Sequence, residues 1–146
     1  MRVVLQRVRG AAVRVEGLVV GQIDVGLVAL VGVGRQSTEA DADWLAAKTA
    51  ALRVFADDAG LMNRSVAEVG GAVLAISQFT LYGDAQKGRR PSFIRAAPPP
   101  VGEALYERYC DALPVPVARG VFGADMAITI EADGPVTILL ERATGH

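Results

Sequence analysis

The chain reads as one α/β domain in which mixed or antiparallel sheets carry two helices packed outside them. Three observations lead there. Short apolar runs of strand length, cut by Gly, Pro and Asp, fill most of the 146 residues. Only two stretches carry a helical period. Two helices for about seven strands are too few to cover both faces of a doubly wound sheet. No repeat, linker or low-complexity tract interrupts the chain, so residues 1–146 are expected to form a single domain.

Val3, Leu5 and Arg7 share one face of a first strand. Ala12 to Val15 and Leu18 to Ile23 read as a hairpin across Glu16-Gly17. Leu27 to Val33, between Gly26 and Gly34, is continuously apolar, as suits a strand covered on both faces. Thr38 to about Phe55 predicts a helix, opened by the box-like Thr38-x-x-Asp41 and striped by Trp44, Ala47, Ala51 and Phe55, with Leu45 and Leu52 beside them. Asp57-Asp58-Ala59-Gly60 is a turn, and Ala72 to Leu81 a further strand, nearly all apolar until Ser77. Gly83 to Arg95 is a polar, basic loop. After Pro98-Pro99-Pro100, Val101 to about Leu113 predicts a second helix with Val101, Leu105 and Tyr109 on its apolar stripe, ended by Pro114 and Pro116. Met126 to Ile130 and Val136 to Leu140 form a last pair of strands around Asp133-Gly134-Pro135, and Arg142 to His146 is expected to fray.

Composition excludes several chemistries. Apolar residues make up 51%, yet no apolar run approaches the roughly 20 residues of a membrane helix. The start lacks the apolar stretch and small-residue cleavage site of a signal peptide, so a cytoplasmic location is expected and no membrane partner. Cys110 is the only cysteine, which rules out an intrachain disulfide, and His146 is the only histidine. No metal or other cofactor is expected from so few soft ligands. Ser-His-Asp and Cys-His catalysis are disfavoured for the same reason, and any enzyme here works without an internal imidazole. Net charge is −1, but Lys87, Arg89, Arg90 and Arg95 face only Asp84 between residues 84 and 95. A local basic patch on a neutral protein suits a modest RNA contact better than tracking along duplex DNA.

Two segments interrupt apolar strands with polar groups. Ser77-Gln78-Phe79-Thr80-Leu81 reads either as a strand end whose Ser and Thr pair across to a neighbour, or as a place where main-chain N–H groups are released to stabilise an oxyanion. Ser77 or Thr80 could then orient water or substrate, but neither has a histidine base for covalent catalysis. Asp133-Gly134-Pro135-Val136-Thr137 reads as a hairpin turn, or as a Gly134–Pro135 cis peptide, since X-Pro bonds alone adopt cis at low cost. Two carbonyls turned the same way would hold an ammonium group. Arg7 either snorkels at the sheet rim or clamps carbonyl oxygens with its fork of donors. Arg89-Arg90-Pro91-Ser92-Phe93 mixes charge with an aromatic, as suits a single-stranded RNA end, or is a solvated turn. Cys110 reads as a helix core residue. Gly32-Val33-Gly34 lacks a dinucleotide fingerprint.

At these residues the chain resembles the D-aminoacyl-tRNA deacylase (D-tyrosyl-tRNA deacylase) family. The matching pieces are Leu5-Gln6-Arg7-Val8, Ser77-Gln78-Phe79-Thr80-Leu81, Arg90-Pro91-Ser92-Phe93, Glu103-Ala104-Leu105-Tyr106, Ala124-Asp125-Met126 and Asp133-Gly134-Pro135-Val136-Thr137, in family order over essentially the full chain. The resemblance implies a homodimer of small β-barrel-like domains with the active site at the subunit interface, and the aminoacylated 3′ end of tRNA as substrate. Gly134 and Pro135 of one subunit would capture the α-amino group in the other's pocket and exclude an L side chain. Ser77 to Thr80 would supply the catalytic floor, and Arg7 would fix the dipeptide. Ala132 departs from the asparagine that often stands there. The implied activity is hydrolysis of D-aminoacyl-tRNA to D-amino acid and tRNA, with glycyl-tRNA also accepted because glycine has no side chain to reject. A non-catalytic RNA-end binder, using Lys87, Arg89, Arg90 and Phe93, is the alternative. A third reading is a structural dimer whose glycines and prolines only shape turns.

Overall fold

The computed structural model describes residues 1–143. Eight strands and two α-helices follow in the order β1 (Arg2–Val15), β2 (Leu18–Ile23), β3 (Gly26–Gly32), α1 (Glu39–Ala51), β4 (Phe55–Ala56), β5 (Met62–Arg64), β6 (Ala72–Ser77), α2 (Pro99–Ala112), β7 (Val117–Arg119) and β8 (Ala127–Glu141). The main sheet is mixed. β1 lies antiparallel to β2, β3 and β8, while β3–β6 and β6–β7 are parallel. The sheet curls until β7 reaches β2. A Cβ on Gly21 would stand 2.5 Å from the Arg119 carbonyl oxygen, so only glycine lets the two strands approach. The expected α/β fold, barrel-like with two outer helices, is the fold observed.

Strand period 2 divides the interior into two cores. Leu27, Ala29 and Val31 of β3 and Val73 and Ala75 of β6 face the helices, while Val28, Leu74 and Ile76 fill the inside of the curled sheet with Val8, Val13 and Ile23. Both faces of β3 and β6 are therefore covered, which is why their sequences are continuous apolar runs.

Several expectations need correction. The first strand and the hairpin's first arm are one 14-residue strand. The hairpin itself forms, with Glu16 and Gly17 at φ 51 and 79. α1 stops at Ala51, and Phe55 belongs to β4, which pairs with β5 around the Asp57–Gly60 turn. Thr38 and Asp41 do form the capping box. The buried face of α1, however, is Ala42, Leu45, Ala46, Thr49 and Ala50, not the stripe through Trp44, Ala47 and Ala51. Alanines on both sides left the apolar period ambiguous. Thr49 is buried because its hydroxyl donates to the Leu45 carbonyl at 2.7 Å and meets the Tyr109 hydroxyl at 2.9 Å. Trp44 stays 36% exposed beneath the Arg142 guanidinium, 4.8 Å from the ring centroid. In α2, Val101 faces outward, and Leu105, Tyr106, Tyr109 and Cys110 are buried.

The largest correction concerns β8. No hairpin forms at Asp133-Gly134-Pro135. One strand runs from Ala127 to Glu141 along β1, with register shifts between Gln6 and Gly10. Arg142 is not frayed, because its N–H donates to the Met1 carbonyl at 3.0 Å; the rest of the expected tail, residues 144–146, lies outside the described residues. β6 ends at Ser77, and Phe79–Tyr82 form a 3-10 helix instead of more strand.

Candidate active site

Parallel β3 and β6 end side by side, and the chain leaves β6 through Gln78, whose N–H donates to the Val31 carbonyl at 2.7 Å. Gln78 then turns the backbone (φ −143, ψ 78) into the 3-10 helix. That helix lies directly on the end of β3. A Cβ on Gly32 would sit 2.9 Å from Leu81 Cβ, and one on Gly34 2.7 Å from the Tyr82 ring. The Gly32-Val33-Gly34 pair thus admits the turn rather than a nucleotide. Phe79 is 57% exposed and meets Phe93 edge to face, with ring centroids 5.2 Å apart.

Beyond these strand ends opens a cavity of about 560 Å³, where open α/β sheets hold their ligands. Ser77, Gln78 and Phe79 line one side, Phe93 and Ala97 the rim, and Tyr106, Phe122 and Met126 the apolar walls. Tyr106 holds the strand end in place, its hydroxyl donating to the Ala75 carbonyl at 2.7 Å. Burial pushes that phenol's pKa far above its ordinary value, so it stays neutral. Among the described residues no Asp, Glu, Lys, Arg or His lines the cavity. Its reactive capacity is therefore polar and main-chain. Phe79 and Thr80 carry the first N–H groups of the 3-10 turn, which such a turn leaves without an intrahelical acceptor. Thr80 itself is exposed and outside the cavity, and its Oγ1 accepts a hydrogen bond from the Gln78 side-chain amide.

Gly134 and Pro135 stand elsewhere. Their peptide bond is cis, and Gly134 has φ 123. Arg7 grips this stretch: Nε donates to the Asp133 carbonyl at 3.2 Å and pairs with its carboxylate at 3.4 Å, while Nη1 donates to the Val54 carbonyl at 2.7 Å. Arg9 takes the other carboxylate oxygen at 3.1 Å. Of the two readings of Arg7, the clamp is the one observed. Both Gly134 and Pro135 are exposed. Strand register places Arg7 level with Leu27 and Val73, four residues from the Val3–Val31–Ser77 row. With about 3.3 Å per residue and 4.8 Å per strand, the dipeptide lies roughly 15–20 Å from Ser77 of the same chain. One protomer does not bring them together.

The basic segment forms a projecting tip. Asp84 and Ser92 exchange both main-chain hydrogen bonds at 2.8 Å, and Lys87, Arg89 and Arg90 stand exposed between them. Tyr106, Phe122 and Met126 received no role from sequence. Glu103-Ala104-Leu105-Tyr106 and Ala124-Asp125-Met126 marked two of them, but only the fold brings α2 and the segment after β7 to one wall. Among the described residues no cluster of His, Cys, Asp and Glu could hold a metal, and no helix is long and apolar enough to cross a membrane.

The family model described as D-Tyr-tRNA(Tyr) deacylase matches residues 4–141. The chain belongs to that family. Relatives include the D-aminoacyl-tRNA deacylase of Rhodopirellula baltica, 56% identical over 144 residues covering 97% of this chain and 99% of that protein. The D-aminoacyl-tRNA deacylase of Geobacter sulfurreducens is 53% identical, covering 97% and 95%. Among solved structures, one titled c-Myc DNA Unwinding Element Binding Protein superimposes with a TM-score of 0.92 at 35% identity, covering 99% of this chain and all of that one. A probable eukaryotic D-amino acid tRNA deacylase superimposes at 0.78 with 21% identity, covering 95% and 97%, and shares the fold.

Proposed function

We infer that this protein is a hydrolase that cleaves the ester of D-aminoacyl-tRNA to D-amino acid and tRNA, that residues 1–146 form one deacylase domain, and that its active unit is a homodimer working in the cytoplasm. The observation that carries the reading is the split site. The cavity with Ser77, Gln78 and Phe79 has no carboxylate among the described residues to hold an ammonium, while the Gly134–Pro135 dipeptide stands exposed on β8, far from its own chain's cavity. A second copy completes both. β8 supports this too, because its outer edge has no partner strand among the described residues and Leu139 is 77% exposed on it. A long bare edge is a liability unless something covers it.

In the completed site the Gly134 and Pro135 carbonyl oxygens of one protomer accept hydrogen bonds from the substrate α-ammonium. With the amine and ester so fixed, an L side chain would point into main chain and a D side chain outward, so discrimination works by exclusion. The main-chain N–H of Phe79, at the cavity wall, meets the developing oxyanion. Each such donor is typically worth about 2.7–4 kcal/mol. The ester is already activated, and the terminal ribose 2′-OH takes the place of a protein base. This route is favoured over Thr80 as nucleophile, because Thr80 lies outside the cavity lining and the protein supplies it no internal histidine base.

Single-turnover deacylation of D-tyrosyl-, L-tyrosyl- and glycyl-tRNA, with chelator present, tests the chemistry. D-tyrosyl- and glycyl-tRNA are hydrolysed and L-tyrosyl-tRNA persists; equal hydrolysis of the two tyrosyl esters would end the exclusion argument, and an intact D-ester would leave a pure RNA binder. Mixing tests the split site. Gly134→Val protomers combined with Ala124→Trp protomers, whose cavities are filled, regain activity at about a quarter of the sites if subunits exchange randomly. No recovery in demonstrably mixed dimers sinks the shared site.

A further inference from the structure

A second cavity, of about 430 Å³, lies on the other side of the 3-10 helix from the first. The two share a wall: Phe79, Val33 and Phe93 line the first, while Tyr82 at the other end of the 3-10 helix and the next residues Gly34 and Ile94 line the second. The second has a different character. Arg2, Arg35 and Arg95 line it, with Glu141 and Asp41 as its acids. The acids are already engaged. Glu141 accepts from Arg2 Nε at 2.9 Å, and the Asp41 carboxylate accepts from the Thr38 N–H at 3.0 Å as part of the helix cap. Arg2 is committed as well, its Nη1 donating to the Leu81 carbonyl at 2.8 Å while the guanidinium stacks 4.5 Å from the Tyr82 ring centroid.

Arg35 and Arg95 are different. Arg35 uses only Nε, on the Ile94 carbonyl, and Arg95 has no hydrogen bond or ion pair for its side chain among the described residues. The Arg35 N–H donates to the Arg95 carbonyl at 3.0 Å, which brings the two residues side by side at the cavity. Lys87, Arg89 and Arg90 project from the same segment and likewise form no ion pair among the described residues. Two arginines paired through their main chain, both with open donors and both lining a cavity whose acids are spoken for, suit an anion with several acceptor oxygens.

We propose that this second cavity binds a backbone phosphodiester of the single-stranded tRNA 3′ end, one or two nucleotides before the aminoacylated terminus, through Arg35 and Arg95. The proposal rests on the deacylase reading above and extends it. With the terminal nucleotide in the first cavity, the strand crosses the 3-10 helix wall, and the second cavity holds its phosphate. The contact reads backbone rather than base, so it adds affinity for any tRNA without selecting its sequence.

The test uses Arg95→Ala, which removes no hydrogen bond of the fold, and the Arg35→Ala/Arg95→Ala pair. Arg53→Ala, at the Arg7 end of the sheet, is the control for net charge. Equilibrium binding of uncharged tRNA is measured across a salt series, together with deacylation of D-tyrosyl-tRNA and of D-tyrosyl-adenosine, which has no upstream phosphate. The double variant is expected to bind tRNA roughly tenfold more weakly or worse. Its log K against log salt slope should be shallower by about 0.7, the share of one single-strand phosphate. KM for D-tyrosyl-tRNA rises in step with kcat unchanged, and D-tyrosyl-adenosine kinetics move less than about twofold. Inorganic phosphate, titrated at constant ionic strength, weakens tRNA binding to the wild type more than to the double variant. Unchanged tRNA binding, a loss matched by Arg53→Ala, or an equal loss on D-tyrosyl-adenosine each overturns the proposal. Failure of the wild type to hydrolyse either ester would instead overturn the deacylase reading, and the binding series would still decide the phosphate site.

Discussion

Arg7→Ala is the most informative single substitution. The Arg7 side chain is only 14% exposed, and it donates to two carbonyls on separate segments, Val54 at 2.7 Å and Asp133 at 3.2 Å. Removing it leaves two partly buried oxygens without their donor. A hydrogen bond to a charged group is worth about 1.5–3 kcal/mol, and the longer 3.2 Å bond belongs at the weak end. Partial hydration and the remaining Arg9–Asp133 pair soften the loss. The expected cost is about 2–3 kcal/mol. For a domain of this size that lowers Tm by about 5–10 °C. Arg9→Ala removes an ion pair whose arginine is 63% exposed and should cost under about 1 kcal/mol. The assay pairs thermal melting with single-turnover deacylation of D- and L-tyrosyl-tRNA. Arg7→Ala is expected to lose D-ester hydrolysis far beyond its loss of stability, because Asp133 leads directly into Gly134–Pro135. Arg7→Lys keeps the charge but not the two-carbonyl reach, and should fall nearer Arg7→Ala than wild type. If Arg7→Ala melts within a degree of wild type and retains D-ester hydrolysis, the clamp does not position the dipeptide.

Three further outcomes are expected. Gly34→Val should lower Tm and slow deacylation, because its Cβ would lie 2.7 Å from the Tyr82 ring and displace the 3-10 helix; melting and single-turnover rates at full substrate check this. Thr80→Val should keep deacylation within about tenfold of wild type, since no covalent step uses its hydroxyl; a drop of a thousandfold in single-turnover rate would restore Thr80 as the attacking group. Burial pushes the Cys110 thiol up to about 11 from 9.0. The unfolded chain therefore loses that proton first, so this group's contribution to stability is complete below pH 9 and is lost as pH rises through about 11. Iodoacetamide labelling of the native protein should stay slow across neutral pH and become fast on unfolding; fast native labelling would contradict the burial.

The parts legible in sequence were those whose local pattern had one physical solution. Leu27 to Val33 and Ala72 to Ile76 are apolar at every position because both faces of those strands are covered, and their short length and flanking glycines separate them from a buried helix. Glu16-Gly17 could only be a hairpin turn, and Thr38-x-x-Asp41 opened the helix it marked. The ordered motifs identified the family before any coordinate did, whereas sequence left Gly134–Pro135 between a hairpin turn and a cis bond, and the structure shows the cis bond. Tertiary structure decided the rest. Sequence chose the wrong inward face for α1, the stripe through Trp44, Ala47 and Ala51, because alanines on both sides blur the period and a Thr49 buried against the Tyr109 hydroxyl reads as polar. Asp133-Gly134 has the composition of a hairpin, but β8 pairs with β1 on both sides of it, through Ala132–Val8 and Thr137–Gln6, so residues 133–136 bulge opposite Arg7 instead of reversing the chain. The cavity walls come from the end of β3, the end of β6, α2 and the segment after β7, with Val31 and Ile128 97 positions apart, and nothing in their spacing connects them. Side-chain period is a local property and reports which face is covered. Which distant segment does the covering is set by packing, and no single stretch of sequence contains it.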